Sequence, residues 1–380
     1  MKTPAVLKTR PILQKNGLSR VGIVGAGQLG RMMALAGYPL GLHSVFLDRG
    51  KNTPGAQVAE TLIGEFEEPA QLAALAARSE VLTFDWENIS GKALAPLSHL
   101  TCIRPPAAAL EVSQDRLHEK ALFTRLKIPV APHRAVDALA DLREATRALG
   151  FPGVLKTRRL GYDGKGQCVL RSAADVDHAW DLLGGRGLIY EQFLRFSREI
   201  SIVGARSLEG RIVSYPLAAN THVGGVLRYS VAPYVNAKLE RLAITYLRRV
   251  LKELAYIGVA AIEFFVVGSR LIANEMAPRV HNSGHWTIEG AVTSQFENHM
   301  RAICELPLGS TRALGHSAMI NFLGGLPDRR RLLAIEGLAY HDYGKETRPG
   351  RKVGHCTIQR PRAADRDEAL AATLKLIEWT

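Results

Sequence analysis

A multi-unit protein of mixed α/β and α+β class is what this sequence predicts, on three observations. An apolar run meets a glycine turn that opens a helix, a hairpin between two β-like runs is rich in glycine and cations, and two adjacent β-like runs each carry a glutamate. At 380 residues the chain exceeds what one hydrophobic core usually serves, so two or three compact units sharing a cleft are expected.

The elements follow in chain order. Residues 1–18 hold several lysines and arginines, no carboxylate and no amphipathic repeat, which predicts a disordered basic extension. The apolar run Arg20 to Gly25 leads through Gly25-Ala26-Gly27-Gln28-Leu29-Gly30 into a helix beginning near Arg31, and a second run, Ser44 to Leu47, ends at Asp48. Strand, turn, helix, strand is how a doubly wound unit begins. Val81 to Phe84 reads as a further strand, and Pro105-Pro106 as a break before the next helix. Ser113 is the expected N-cap of a helix Gln114 to Leu126, followed by a helix Asp137 to Leu149 and a strand Gly153 to Thr157. Leu188 to Gln192 and Glu199 to Val203 read as strands paired with each other. Leu239, Leu242, Tyr246, Leu247, Val250, Leu251 and Leu254 recur at helical spacing, and Val259 to Val267 and Arg270 to Met276 form an antiparallel pair about Gly268-Ser269. From about residue 313, short apolar runs precede a final helix, Asp365 to Trp379.

With 47% hydrophobic and 22% charged residues the composition is that of a globular enzyme. No apolar run is long enough to cross a bilayer and no secretory signal opens the chain, so a cytoplasmic protein with no membrane partner is expected. Cys102, Cys168, Cys304 and Cys356 are too scattered for a metal motif or a disulfide framework and read as reduced packing residues. A net charge of +13 would suit a nucleic-acid binder if the bases clustered with aromatics on one face. Here they are scattered, so nucleic acid is not an expected partner, and anionic small substrates account for part of the excess.

Four motifs point to chemistry. The first glycine turn matches G-x-G-x-x-G, with Asp48 about where a dinucleotide-binding fold places its ribose acid. A nicotinamide enzyme is therefore one reading, and a substrate phosphate at the helix N-terminus another. Arg158-Arg159-Leu160-Gly161-Tyr162-Asp163-Gly164-Lys165-Gly166-Gln167 sets glycines beside cations that repel one another unless an anion is bound, and a triphosphate supplies that anion. Glu263 and Glu275, on neighbouring strands near Asn274 and Asn282, offer the oxygen ligands that magnesium requires. The stretch from Asn274 to Trp286 is dense in hydrogen-bonding groups; His281 and His285 lack the third ligand zinc would need and suit hydrogen bonding or proton handling. Near the end, Tyr343 to Lys352 packs cations around glycines and a proline, as a phosphate-gripping loop or a solvated turn would.

In order, these motifs resemble the ATP-grasp superfamily, and within it the N5-carboxyaminoimidazole ribonucleotide synthetases, bicarbonate-using ligases of purine biosynthesis. The resemblance runs from about residue 20 to 360. It is carried by GAGQLGR at Gly25 to Arg31, Gln114-Asp115-Arg116, KTRRLGYDGKGQ at Lys156 to Gln167, Glu191-Gln192-Phe193 and Arg198-Glu199-Ile200-Ser201. NEMAPRVHNSGHWT at Asn274 to Thr287, Ser294-Gln295-Phe296-Glu297 and RKVGH at Arg351 to His355 complete the set. It implies an ATP-grasp fold with a Rossmann-like N-terminal domain at 19–112, an ATP-grasp domain at 113–312 (a small lid about 113–190, a larger part about 191–312), and a small β-rich C-terminal domain at 313–380.

The resemblance also implies roles. Arg116 and Lys156 would hold the nucleotide phosphates under the loop Gly161, Tyr162, Asp163, Gly164, Lys165, Gly166 and Gln167. Glu191, Gln192, Phe193 and Leu194 would form the adenine-side hinge, Glu199 would take the ribose hydroxyls and His222 would sit near the nucleotide. Glu263 and Glu275 would ligate magnesium beside Asn274. Gln28, Glu87, Tyr162, Asp163, Lys345 and Arg351 would receive 5-aminoimidazole ribonucleotide, while Lys156, Arg279 and His281 would serve the chemistry, the last two at bicarbonate and the transferring phosphoryl group. Bicarbonate would attack the γ-phosphate of ATP, and the resulting carboxyphosphate, or its carbon dioxide, would be captured by the exocyclic amine. A homodimer is implied as well. Asp85 stands where Glu is expected in a Glu-x-Glu-Asn segment, and Leu160 where relatives carry glycine or methionine. The nearest competitor is a formate-using glycinamide ribonucleotide ligase of the same fold.

Overall fold

The computed structural model describes residues 19–161 and 165–377. The basic extension 1–18, the loop residues Tyr162, Asp163 and Gly164, and the last three residues lie outside the described residues. Among those described, the strands form three sheets.

The first sheet is parallel, in the order β3-β2-β1-β4-β5, from β1 (Ser19–Val24), β2 (Leu42–Asp48), β3 (Glu60–Ile63), β4 (Val81–Phe84) and β5 (Cys102–Ile103). β1 and β4 are buried almost throughout, as strands covered on both faces must be. The helix after β1 begins at Gln28, within the glycine turn, because Gly27 caps it and Arg31 N–H already bonds to the Gly27 carbonyl. β3 and the helix Pro69–Ala77 were not legible from periodicity: β3 is half exposed and the helix is mostly alanine.

The second sheet holds β6 (His133–Val136), β7 (Gly153–Thr157), β8 (Gln167–Leu170) and β9 (Leu188–Gln192), in the order β6-β9-β7-β8. Helices Leu139–Leu149 and Val176–Leu183 cover it, with Leu142, Leu155, Val176 and Tyr190 in one core. The third sheet is larger, in the order β15-β14-β10-β12-β13-β16-β18-β17, with β11 (Ile212–Ser214) paired to β10. Its strands are β10 (Arg198–Arg206), β12 (Ala218–Val223), β13 (Val226–Ala232), β14 (Gly258–Val267), β15 (Arg270–Ala277), β16 (His316–Leu323), β17 (Leu338–Asp342) and β18 (Lys352–Arg360). The long amphipathic helix spans Ala237–Glu253 and lays Leu239, Ala243, Leu247, Val250 and Leu251 on this sheet. β16 to β18 and the helix Ala363–Leu374 enclose a core of their own, yet β16 hydrogen-bonds to β13, so the sheet runs on without a break.

Two local expectations are corrected. β9 and β10 do not pair with each other; they belong to the second and third sheets. The five residues between them contain no glycine, proline, asparagine or aspartate, Phe193 N–H bonds to the Pro152 carbonyl, and Phe196 stacks on Phe265 at 4.5 Å, which leads the chain across from one sheet to the next. The helix expected to open at Ser113 starts later: Ser113 ends the helix Ala107–Ser113, and the next helix is Arg116–Arg125, capped by Asp115 through Leu117 N–H at 3.0 Å. All four cysteines are free, and no helix among the described residues is long and apolar enough to cross a membrane.

Candidate active site

A cleft of about 830 Å³ opens where the first glycine turn, the end of β15, the loop after β7 and the loop before β18 meet. It gathers Gln28, Glu87, Arg116, Gly161, Lys165, Glu275, Arg279, His281, Lys345 and Arg351 from the expected site residues. Gly161 leaves room for Arg116: a Cβ there would lie 3.3 Å from the guanidinium.

The two candidate metal carboxylates meet through a defect in the sheet. Counting outward from the Gly268-Ser269 turn, Val267 pairs with Arg270 and Phe264 with Ala273, which would set Glu263 opposite Asn274. A register shift at that point sets it opposite Glu275 instead. Without the extra residue Glu275 would face the other side of the sheet; with it, both carboxylates share one face. Beside the shift, at the sheet edge, Ala273 N–H bonds to the Pro129 carbonyl at 2.7 Å and Val130 bridges to Ala273. Burial first, and Glu275 second, push the Glu263 carboxyl up to about 7. Burial also opposes ionisation of Glu275, but Arg116, whose Nη1 is 3.2 Å from Oε2, together with Lys156 holds it below the ordinary range. A buried carboxyl and a partly exposed carboxylate on one face, with one proton too many, suit a hard divalent cation such as magnesium. No group of three or more His, Cys, Asp or Glu side chains among the described residues is arranged to hold a metal alone, so an ion there would complete its shell with phosphate oxygens or water.

Beside this pair lies a buried charge cluster. Glu191 receives Lys156 Nζ at 3.1 Å and Lys120 Nζ at 3.3 Å. Burial alone would raise its carboxyl, but the two ammonium groups outweigh that and hold it at about 2. Lys156 is thereby aimed by an anion of the chain's own, with its own basicity reduced by burial. On the adjacent strands β10 and β12, Glu199 and His222 are hydrogen-bonded to each other. Burial would depress His222, but the Glu199 bond and the charge of Glu263 raise it above the ordinary histidine range. Gln167, Gln192 and Phe193 are exposed and Leu194 half-buried, outside the lining of the main cleft.

The segment after β15 is held from several sides. Arg279 forks onto Glu87, Nη2 to Oε1 at 2.7 Å and Nε to Oε2 at 2.5 Å. Ser201 Oγ donates to Ser283 Oγ at 2.7 Å, and Ser283 Oγ lies 2.8 Å from His281 Nδ1, which also accepts Ser283 N–H at 3.3 Å. Nδ1 is thus the acceptor, and the neutral ring carries its proton on Nε2, 3.7 Å from Glu263 Oε1. Burial and then Arg279 push His281 down to about 3, so at neutral pH it carries no charge and its Nε2–H is a neutral donor. Asn282 and Asn321 exchange a reciprocal amide pair at 2.9 and 2.7 Å. Across the cleft Lys345 Nζ bonds to Gln28 Oε1.

The glycine turn does not offer itself to a dinucleotide. Ala26 N–H donates to Asp48 at 2.7 Å, so the supposed ribose acid is folded back onto the turn. Asp85 sits where a pyrophosphate would: its carboxyl accepts from the amides of Gly27 and Gly30, and a Cβ on Gly27 would lie 2.4 Å from Asp85 Oδ2. Burial, restrained by Arg279, Lys345 and those amides, pushes it up to about 6. The cationic hairpin needs a similar correction. Arg158 forks onto Asp115 at 3.1 and 2.8 Å, and Arg159 lies 3.4 Å from the same carboxylate, so the chain itself supplies the anion for two of the three cations. No motif marks Lys120 or Glu119, and Asp85 enters the sequence only as a departure from the expected Glu. Lys120 and Glu119 are 1% and 2% exposed on what reads as a solvated helix. The hint for Lys120 was its spacing of four from Arg116, which puts both on one face.

Known proteins match the chain along most of its length. Residues 18–114 match the ribonucleotide synthetase preATP-grasp domain, 121–296 the ATP-grasp domain, and 317–369 the phosphoribosylaminoimidazole carboxylase C-terminal domain. The chain is 46% identical to the N5-carboxyaminoimidazole ribonucleotide synthase of Pseudomonas aeruginosa over 94% of its own length and 99% of that protein's. It superposes on the N5-carboxyaminoimidazole ribonucleotide synthetase of Thermus thermophilus with a TM-score of 0.91 and 47% identity, covering 95% and 99% of the two chains. The Aspergillus clavatus N5-carboxyaminoimidazole synthase in complex with ADP and 5-aminoimidazole ribonucleotide superposes with a TM-score of 0.89 and 28% identity, over 94% and 98%.

Proposed function

The chain belongs to the N5-carboxyaminoimidazole ribonucleotide synthase family, and on that premise we propose the division of labour by which its cleft carries out the ATP-dependent carboxylation of 5-aminoimidazole ribonucleotide in purine biosynthesis. The supporting observation is convergence: Arg116, Lys165 and Glu275 share one cleft with Gln28, Lys345 and Arg351. The first set faces the triphosphate and the second the ribonucleotide. Glu191, Gln192, Phe193, Leu194, Glu199 and His222 form the nucleoside side, residues 161–167 serve the phosphates, and Tyr162 and Asp163 are assigned to ribonucleotide binding.

In the first step an oxygen of bicarbonate attacks the γ-phosphorus of ATP, the bond to the β-phosphate oxygen breaks, and carboxyphosphate and ADP result. Lys156, fixed by Glu191, and Arg116, fixed by Glu275, present cations to the phosphates, so the work is placement and charge neutralisation. Magnesium, held by Glu263 and Glu275 beside Asn274, supplies further charge neutralisation when bound. Arg279, squared by Glu87, and the Nε2–H of His281 orient the bicarbonate and the transferring group. In the second step the exocyclic amine bonds to the carboxyl carbon, the carbon–oxygen bond to phosphate breaks, and the proton lost by the amine ends on the departing phosphate. The units 19–112, 113–312 and 313–380, a homodimer and a cytoplasmic location complete the proposal.

The test is ADP release by the magnesium-loaded protein with ATP and bicarbonate, with and without 5-aminoimidazole ribonucleotide. Ribonucleotide-dependent turnover is expected; its absence, or equal turnover with formate and glycinamide ribonucleotide, rejects the assignment. To hold magnesium, Glu263 would have to give up the proton that burial favours on its carboxyl, which sits at about 7. The magnesium concentration for half-maximal turnover is therefore expected to rise about tenfold per pH unit below that value and to level off above it. A requirement independent of pH would remove Glu263 from the ion's shell.

A further inference from the structure

Gln295 is buried completely and does not line the cleft, yet its carboxamide grips a residue that does. His281 N–H donates to Gln295 Oε1 at 2.9 Å, and Gln295 Nε2 donates to the His281 carbonyl at 2.7 Å. His281 is extended, with φ −126 and ψ 147, and an extended residue points its N–H and C=O to the same side. The side chain thus does for one residue what a neighbouring strand would do. Its own placement is secured from the helix Gln295–Ile303: Gln295 N–H donates to Thr287 Oγ1 at 3.0 Å, and that hydroxyl donates to the Gly284 carbonyl at 2.6 Å. Gly284 makes the approach possible, since a Cβ there would lie 2.7 Å from Gln295 Oε1.

We propose that Gln295 is a positioning residue for the carboxylation: its carboxamide clamps the main chain of His281 so that Arg279 and the His281 imidazole stay aimed into the cleft. The clamp stands at the centre of a short run, with Arg279 squared by Glu87 on one side and Asn282 paired with Asn321 on the other. Loosening it lets the run shift where placement matters for transfer, while the nucleotide-side groups Lys156, Glu191 and Glu199 keep their own partners. The inference rests on the reading of Arg279 and His281 given above.

Gln295→Met keeps the volume and removes both bonds; kcat is expected to fall about 10- to 100-fold, with the KM for ATP and the affinity for ADP within about twofold of the parent. Gln295→Glu adds a signature that lost packing would not produce. Protonated, the new carboxyl accepts from His281 N–H and donates to the His281 carbonyl, restoring the clamp; ionised, it turns an oxygen against that carbonyl. The titratable groups against this position are His281 and His285, whose Nδ1 is 3.3 Å from Gln295 Nε2. Burial keeps both neutral around pH 7, so they do not mask the effect. The ratio of the Gln295→Glu kcat to the parent's is expected to rise as pH falls, and Gln295→Met should show no such rise. A Gln295→Met enzyme with parental kcat, a loss of ADP affinity matching the loss of kcat, or a pH-flat Gln295→Glu ratio overturns the proposal. His281→Ala and Arg279→Lys separate the two layers: full turnover in both rejects the reading of those residues, whereas their failure beside an intact Gln295→Met enzyme rejects the clamp alone.

Discussion

Glu275→Gln is expected to lower turnover by about 10²- to 10³-fold, the equivalent of losing several kcal/mol of charge stabilisation, while the protein stays folded. The amide has the shape of the carboxylate and can still accept from Arg116, so the packing at the end of β15 survives. What disappears is a negative oxygen donor opposite Glu263. The substitution also removes the second cause that raises the Glu263 carboxyl, so the proton competing with magnesium should leave at lower pH in the variant. Rates of ADP release across magnesium concentrations, with a thermal midpoint beside them, check both points. Turnover within about threefold of the parent would take Glu275 out of the metal site, because an amide oxygen is a much weaker ligand for a hard cation.

Glu191→Gln should act on stability as strongly as on rate. Its carboxyl is 3% exposed and lies between Lys156 and Lys120, so the amide leaves two buried ammonium groups without their counter-ion. A loss of about 3–5 kcal/mol is expected. The linkage gives a similar figure: held at about 2 against an ordinary 4.5, the carboxylate contributes about 3 kcal/mol. Since its folded value is depressed, that contribution is fully present above the ordinary carboxylate range and fades as pH falls toward 2. Thermal midpoints of parent and variant should therefore differ most at neutral pH and converge in acid. Lys156→Met is the companion variant: Lys120 still neutralises Glu191, so the midpoint should drop less although turnover falls as far. Equal midpoints for parent and Glu191→Gln at pH 7 would mean that the buried cluster contributes nothing.

Much of this was legible because the chemistry needs particular residue types in a particular order. Strands β4, β7 and β9 stood out as short apolar runs, the long helix as a period of 3.6, and the β14–β15 hairpin as two runs about Gly-Ser. Ordered motifs marked Arg116, Lys156, Glu275, Arg279 and Lys345. Long-range pairing escaped notice. β9 and β10 look like a hairpin by spacing, and only packing sends them into different sheets. Lys120 and Asp115 look like surface charges, and only the docking of β9 and of the arginines at 158 and 159 turns them inward.

By itself the sequence determined the identity and order of the polar groups, and through them the family, the doubly wound start and the need for an anionic substrate. Tertiary structure decided which carboxylates face which cations. The Gly-x-Gly turn is spent on Asp85 and Asp48, and Glu263 meets Glu275 through one extra residue in β15, next to where the 129–130 segment joins the sheet edge. The physical reason is reach: periodicity reports the few residues on either side of a position, whereas a charge buried in low dielectric answers to whatever the fold brings within a few ångströms.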